Sequence, residues 1–160
     1  MSIRKWILLA AALAPLPALA APIQDAREFT VGLYAAYSHG EPDFLGDRAA
    51  TTFAPHLLAL IRSDQARTPS GDIGTIDWDP ICGCQDDGGM KVGRVEVDTP
   101  GADRARAIVT LNFPGETTLV TLDLVLQKGA WRVADIHTKD APSLVTLLEK
   151  SIRAPVTKAP

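Results

Sequence analysis

Apolar and polar positions follow two different periods along this chain, and the switch falls at Lys91. Before that point apolar residues recur every three or four positions. Ala26, Phe29, Leu33 and Ala36 or Tyr37 share one side of residues 23–38 while Asp25, Arg27 and Glu28 take the other, which predicts an amphipathic helix. His39-Gly40-Glu41-Pro42 ends it, because glycine accepts the left-handed cap and proline cannot continue the hydrogen-bond ladder. A short helix is expected from residue 43 to residue 50. A third, residues 56–66, opens after Pro55, with Leu57, Leu60 and Ile61 as its core stripe and Arg62, Asp64 and Gln65 on its wet side. Residues 67–90 hold turn formers without a period, and Ile73, Ile76, Trp78 and Ile81 predict a folded loop packed on the domain by those side chains.

From Lys91 the period becomes two. Val95 and Val97 alternate with charged residues, Thr99-Pro100-Gly101-Ala102 reads as a turn, and Ala105, Ala107, Val109, Leu111 and Phe113 form the apolar face of a second strand. Pro114-Gly115-Glu116 turns again. Residues 117–137 are two β-favouring runs around Gln127-Lys128-Gly129, a hairpin. The sum is an antiparallel four-stranded meander whose twist would curve it around the helices. Asp140-Ala141-Pro142-Ser143 then starts a closing helix with Leu144, Leu147, Leu148 and Ile152 on its apolar face. The fold class expected is α+β.

Residues 1–20 change the picture of where this domain works. Arg4 and Lys5, the apolar run from Trp6 to Leu13 and Ala18-Leu19-Ala20 follow the order of a secretory signal peptide, with cleavage expected after Ala20. The run is far short of the about 20 residues a membrane span needs, and Pro15 and Pro17 interrupt it. The expectation is therefore a periplasmic or secreted protein: one domain over residues 21–153, a frayed tail over 154–160, and no membrane span after cleavage. Without Arg4 and Lys5, 14 basic residues stand against 19 acidic ones, a formal charge of −5. No basic cluster stands out, which argues against nucleic acid as a partner.

Export also bears on the two cysteines, Cys82 and Cys84, since an oxidising compartment favours a disulfide. In extended backbone the Cα atoms of residues i and i+2 are about 6.6 Å apart, within what a disulfide spans. Gly83 between them relieves backbone strain. Such a bridge would clip the loop, and it would be more reducible than a relaxed one. Two other readings stay open: thiol exchange, although the spacing is not that of the usual redox motif, and a soft-metal site of Cys82, Cys84 and Met90, although two thiolates do not close a zinc site. Asp77, Asp79, Asp86 and Asp87 lack the alternation of a calcium loop and read as turn formers. No cofactor is called for.

The order of elements, with Ala26, Phe29, Leu33, Tyr34 and Tyr37 on the first helix and the strand Gly129-Ala130-Trp131-Arg132-Val133-Ala134-Asp135-Ile136, resembles the nuclear-transport-factor-two-like superfamily, a cystatin-like cone in which helices plug a bent antiparallel sheet. Within it, Asp79-Pro80 shortly before Gln85-Asp86, the Trp131–Ile136 strand and Ser143-Leu144 resemble the uncharacterised exported bacterial domains numbered 3828 among domains of unknown function. The resemblance implies the cone, and it implies no single activity, since the fold hosts enzymes, binding modules and dimerisation devices. Asp135 and His137, read as alternating onto the face of Trp131 and Val133, with Asp123 on the neighbouring strand, would be the acid and base of an isomerase or hydrolase if that face lines the cone. Trp78, Asp79, Gln85, Asp86 and Tyr34 are the ligand-binding candidates. The favoured reading is a non-catalytic module that meets an unknown small ligand or protein, or a second copy of itself.

Overall fold

The computed structural model describes residues 20–154, with side chains described from residue 25. Of the expected leader it describes only Ala20, and of the expected tail only Ala154; the rest of both lies outside the described residues. No described helix is long and apolar enough to cross a membrane.

Helix α1, Ala20–Ala35, is followed by α2, Ala49–Thr52, and α3, Pro55–Arg67. Four strands come next: β1, Lys91–Gly101; β2, Arg104–Phe113; β3, Glu116–Gln127; and β4, Ala130–His137, before α4, Leu144–Arg153. They form one antiparallel sheet in the order β1-β2-β3-β4, a meander, as their sequence spacing predicts. At the β3–β4 turn Gln127 pairs with Ala130, and Lys128 and Gly129 carry φ of 51° and 77°, the two positive angles that let a two-residue turn follow the strands' twist. Helix α1 packs on β1 and β2, and α4 packs on α3 and β4.

The sheet face toward the helices is apolar by alternation. Ala107, Val109 and Leu111 of β2 and Val120, Leu122 and Leu124 of β3 meet Val133 and Ile136 of β4 there, all buried with Leu57 and Ile61 of α3, Leu144 and Leu148 of α4, and Phe44, Phe53 and Ile81 from the connections. Burying one such side chain stabilises the fold by about 1.5–3 kcal/mol relative to leaving it in water. The outward edge of β4 is covered in part, because Ala54 donates its N–H to the Val133 carbonyl at 2.8 Å.

Several expectations need correction. Residues 44–48 form turns, with helix only at α2, because the Asp43 carboxylate takes the Gly46 and Asp47 N–H groups and so competes with helical backbone bonding. Strand β1 continues through Thr99, Pro100 and Gly101, and the turn is at Ala102-Asp103. As the outer strand of the sheet, β1 tolerates the missing Pro100 N–H. Ile73 is 78% exposed and packs nothing, whereas Ile76 and Trp78 are half-buried and Ile81 fully buried. Asp64 leaves the wet side of α3: it is 7% exposed, accepts the Thr75 N–H at 3.0 Å and bonds the Thr75 hydroxyl, which is 2.6 Å from Ser151 Oγ of α4. The long loop folds back over α3, and helical period cannot foresee that.

Candidate functional site

The long loop closes on itself at Asp79. Its N–H donates to the Cys84 carbonyl at 2.9 Å and its carbonyl accepts the Gly83 N–H at 2.9 Å, so residues 79–84 make a tight ring. Gly83 sits at φ 63°, and a Cβ there would lie 2.9 Å from Thr138 Cγ2, so backbone angle and space both ask for glycine. The ring brings the Cys82 and Cys84 sulfurs within bonding distance, with Cα atoms 5.2 Å apart, nearer than extended backbone would hold them. Cys82 is fully buried and Cys84 half-buried. Joined in this way, neither sulfur is a thiolate able to hold a metal. Met90, the third sulfur of the soft-metal reading, is half-buried against the core where the loop meets β1.

Tyr34 near the end of α1 and Tyr37 in the turn after it hold this ring. Tyr34 donates its hydroxyl to the Ile81 carbonyl at 2.8 Å and is 3% exposed, so it supports the loop from the core and offers nothing to a ligand outside. Tyr37 donates to Asp79 Oδ2 at 2.7 Å, while Asp79 Oδ1 accepts the Ile81 N–H at 2.8 Å. Burial pushes the Asp79 carboxyl above its ordinary value, against the hydrogen bonds that favour its charge. Both tyrosine hydroxyls are pushed up, first by burial and then by the Asp79 charge. Outside this network, Trp78, Asp79 and Gln85 border a shallow cleft of about 310 Å³ with Phe44 and Pro42. Asp86 is exposed, and its carboxylate takes the Gly88 N–H at 2.7 Å.

The second cluster lies where β3 and β4 pair near the end of β4. Strand β4 slips by one residue against β3, pairing Leu124 with Val133 but Asp123 with Asp135, so Ala134 is an inserted bulge residue. A one-residue insertion reverses every later side chain. Asp135 and His137 therefore share the outer face with Asp123 and Arg106, opposite the buried Trp131, Val133 and Ile136, which corrects the expected shared face with Trp131 and Val133. The sequence held a signal for this: Ile136 is apolar but out of phase with Trp131 and Val133.

On that face each group has a local partner. Asp135 accepts the Ser143 hydroxyl at 2.7 Å and the Val145 N–H at 3.0 Å, and Ser143 Oγ accepts the Thr146 N–H at 3.1 Å, so the pair caps α4. His137 Nε2 is 2.8 Å from Asp123 Oδ2 and Nδ1 is 2.5 Å from the Pro142 carbonyl. Both neighbours are acceptors, so the ring satisfies both only as the doubly protonated imidazolium. Partial burial pulls the His137 pKa down, but the Pro142 carbonyl and the Asp123 and Asp135 carboxylates outweigh it and hold it above the ordinary value. For Asp123 partial burial is likewise outweighed, here by hydrogen bonds from Arg106 Nε at 2.7 Å and from His137, and its carboxyl is held low. An imidazole bonded to acceptors through both nitrogens has no lone pair left to take a proton from a substrate.

Residue period also gave no sign of a third feature. A cleft of about 740 Å³ opens between α2, α3 and the tip of the β3–β4 hairpin, floored by Phe53, Pro55 and Leu58 and edged by Arg62, Lys128 and Arg132.

With the geometry in place, the chain can be set beside known proteins. No family model matches it, and no solved structure matches it. It is 37% identical over 94 residues to the uncharacterized protein YqhG of Escherichia coli strain K12. The matched part is 57% of this chain but only 30% of YqhG. That likeness is to a fraction of a longer protein.

Proposed function

We propose that this chain is an exported, periplasmic or secreted binding or accessory module of the nuclear-transport-factor-two-like cone, related to the domains of unknown function numbered 3828, and that it works without catalysis. One observation carries the non-catalytic reading. The sheet face toward the helices, where a cone would keep its reaction site, is packed with fully buried apolar side chains, while Asp135 and His137 stand on the other face. There Asp135 caps a helix and His137 is held by acceptors at both nitrogens. Support for the cone comes from α1, which packs on β1, β2 and also β4 and so crosses beneath the sheet. Support for export comes from the order of charged, apolar and small residues before Ala21.

The test combines native mass spectrometry of the protein recovered from exporting cells with a panel of hydrolase and isomerase substrates. A mature N-terminus at Ala21 and a non-covalently bound small molecule or partner chain are expected. Turnover that Asp135→Asn and His137→Gln both abolish would replace this reading with an enzyme.

A thiol-exchange reading has one observation in its favour. Cys84 is the more exposed sulfur and Cys82 the buried one, so an incoming thiolate would reach Cys84 and release Cys82. Cys82→Ser is then the variant that traps a mixed disulfide, and recovery of the variant without one removes the reading.

A further inference from the structure

The 740 Å³ cleft beside the β3–β4 hairpin has a composition unlike the rest of this acidic chain. Its volume is within the range of small-molecule sites, about 300–1,000 Å³. Its floor is apolar: Phe53 is fully buried beneath it, Leu58 half-buried, and Pro55 exposed at its side. Its rim is cationic, with Arg62 from α3, Lys128 from the hairpin turn and Arg132 from β4, and no Asp or Glu lines it. The chain as a whole carries 19 acidic and 16 basic residues, so three cations around one cleft without an acid run against the bulk composition.

These cations are also free to act. Among the described residues the ion pairs formed by cations belong to His56, Arg94, Arg106, His137 and Arg153, and none belongs to Arg62, Lys128 or Arg132. Arg132 donates one N–H to the Trp131 carbonyl at 2.7 Å, which fixes its guanidinium and leaves its other donors available. Lys128 is the one non-glycine residue with positive φ among those described. That turn position suits Asn, Asp or Gly better, so the backbone angle does not select the lysine there.

We infer that this cleft binds an amphipathic carboxylate of fatty-acid type, its alkyl chain on Pro55, Leu58 and Ala59 above the buried Phe53 and its headgroup among Arg62, Lys128 and Arg132. The apolar floor supplies affinity in proportion to the area covered, and the rim selects the sign of the headgroup. A neutral amphiphile would leave the cations unpaired, and a cationic one would be repelled. This inference names a ligand class for the module proposed above and rests on that reading.

The experiment is calorimetric titration of the full-length purified protein with dodecanoate below its micelle concentration, beside dodecanol and dodecylammonium. Saturable binding of dodecanoate at one site per chain is expected, with the other two weaker by about tenfold or more. Raising salt should weaken dodecanoate binding. The double variant Arg62→Glu with Lys128→Glu changes two exposed side chains, and it should lose dodecanoate binding by about tenfold or more while its thermal unfolding is unchanged. Leu58→Asp should lose it as well. Absence of saturable binding, equal binding of dodecylammonium, or a double variant that binds like the parent would overturn the inference. An acidic apolar peptide that binds through Arg62 and Lys128 where dodecanoate does not would overturn it too, while leaving a binding module. Turnover abolished by His137→Gln, with dodecanoate still bound, would instead overturn the module and leave the site.

Discussion

Two acidic groups, Asp79 in the loop ring and Asp123 on the outer sheet face, sit beside hydrogen-bond donors, and their surroundings move them in opposite directions. Asp79 lies in the loop ring, bonded to the neutral Tyr37 hydroxyl and to backbone, and burial raises it. Asp123 lies on the outer sheet face between Arg106 and His137, and charged donors hold it low. Donor count does not separate the two. What differs is whether the donors bring charge: neutral donors only partly replace lost water, whereas cations favour the carboxylate outright. A half-buried acid held by a tyrosine fastens a loop, and an acid in a triad with Arg and His tunes a surface.

The largest expected effect is at the loop acid. Asp79→Ala removes the acceptor for both Tyr37 and the Ile81 N–H, and should destabilise the protein by about 2–3 kcal/mol in urea unfolding at neutral pH. A cost as small as that of a surface residue would mean that the ring is held by other bonds. Asp135→Ala should come next, at about 1–2 kcal/mol, because it uncaps α4. Asp135→Asn should recover part of that loss, since capping needs an oxygen acceptor and not a charge. Tyr37→Phe should cost about 1 kcal/mol, and its effect should largely vanish in an Asp79→Ala background if the two form one unit.

The smallest effects are in the pH dependence. His137 has a raised folded pKa, so its stabilisation is complete below the unfolded value of about 6.5 and is lost as pH rises through the higher folded value. Asp123 has a lowered one, so its stabilisation is present above an unfolded value of about 3.9 and is lost as pH falls through the folded value. Because both are partly exposed and screened, each should amount to about 0.5 kcal/mol. Asp79 has the opposite sign to Asp123: its raised pKa favours folding in acid, and that advantage is lost as pH rises. His137→Gln should flatten the slope that begins above the unfolded value of about 6.5, and Asp79→Asn should steepen the acid loss. Unfolding midpoints measured from acid to alkaline pH distinguish the two.

Within the candidate sites, legibility divides along the same line. The Cys-Gly-Cys spacing put Cys82 and Cys84 together on local geometry alone, because only two peptide units separate them. Tyr34 and Tyr37 showed themselves as a helical pair, but that their hydroxyls meet residues 81 and 79 depends on how the long loop returns to α1. The cleft beside the hairpin joins Arg62, Lys128 and Arg132, which no short spacing relates.

By itself the sequence determined the α+β order, α1 and α3 to within a few residues, the four strands, a hairpin around Gln127-Lys128-Gly129 and the apolar faces of β2 and β3. These rest on periods of 3.6 and two, which the backbone imposes residue by residue. The tertiary structure decided the fate of Asp64, Tyr34, Asp135 and His137. The bulge at Ala134 shows why. Keeping Trp131 and Val133 buried beside Leu126 and Leu124, and Ile136 buried beside Leu122, needs one extra residue in β4, and the core's demand for all three apolar side chains outweighed the ladder's preference for unbroken register.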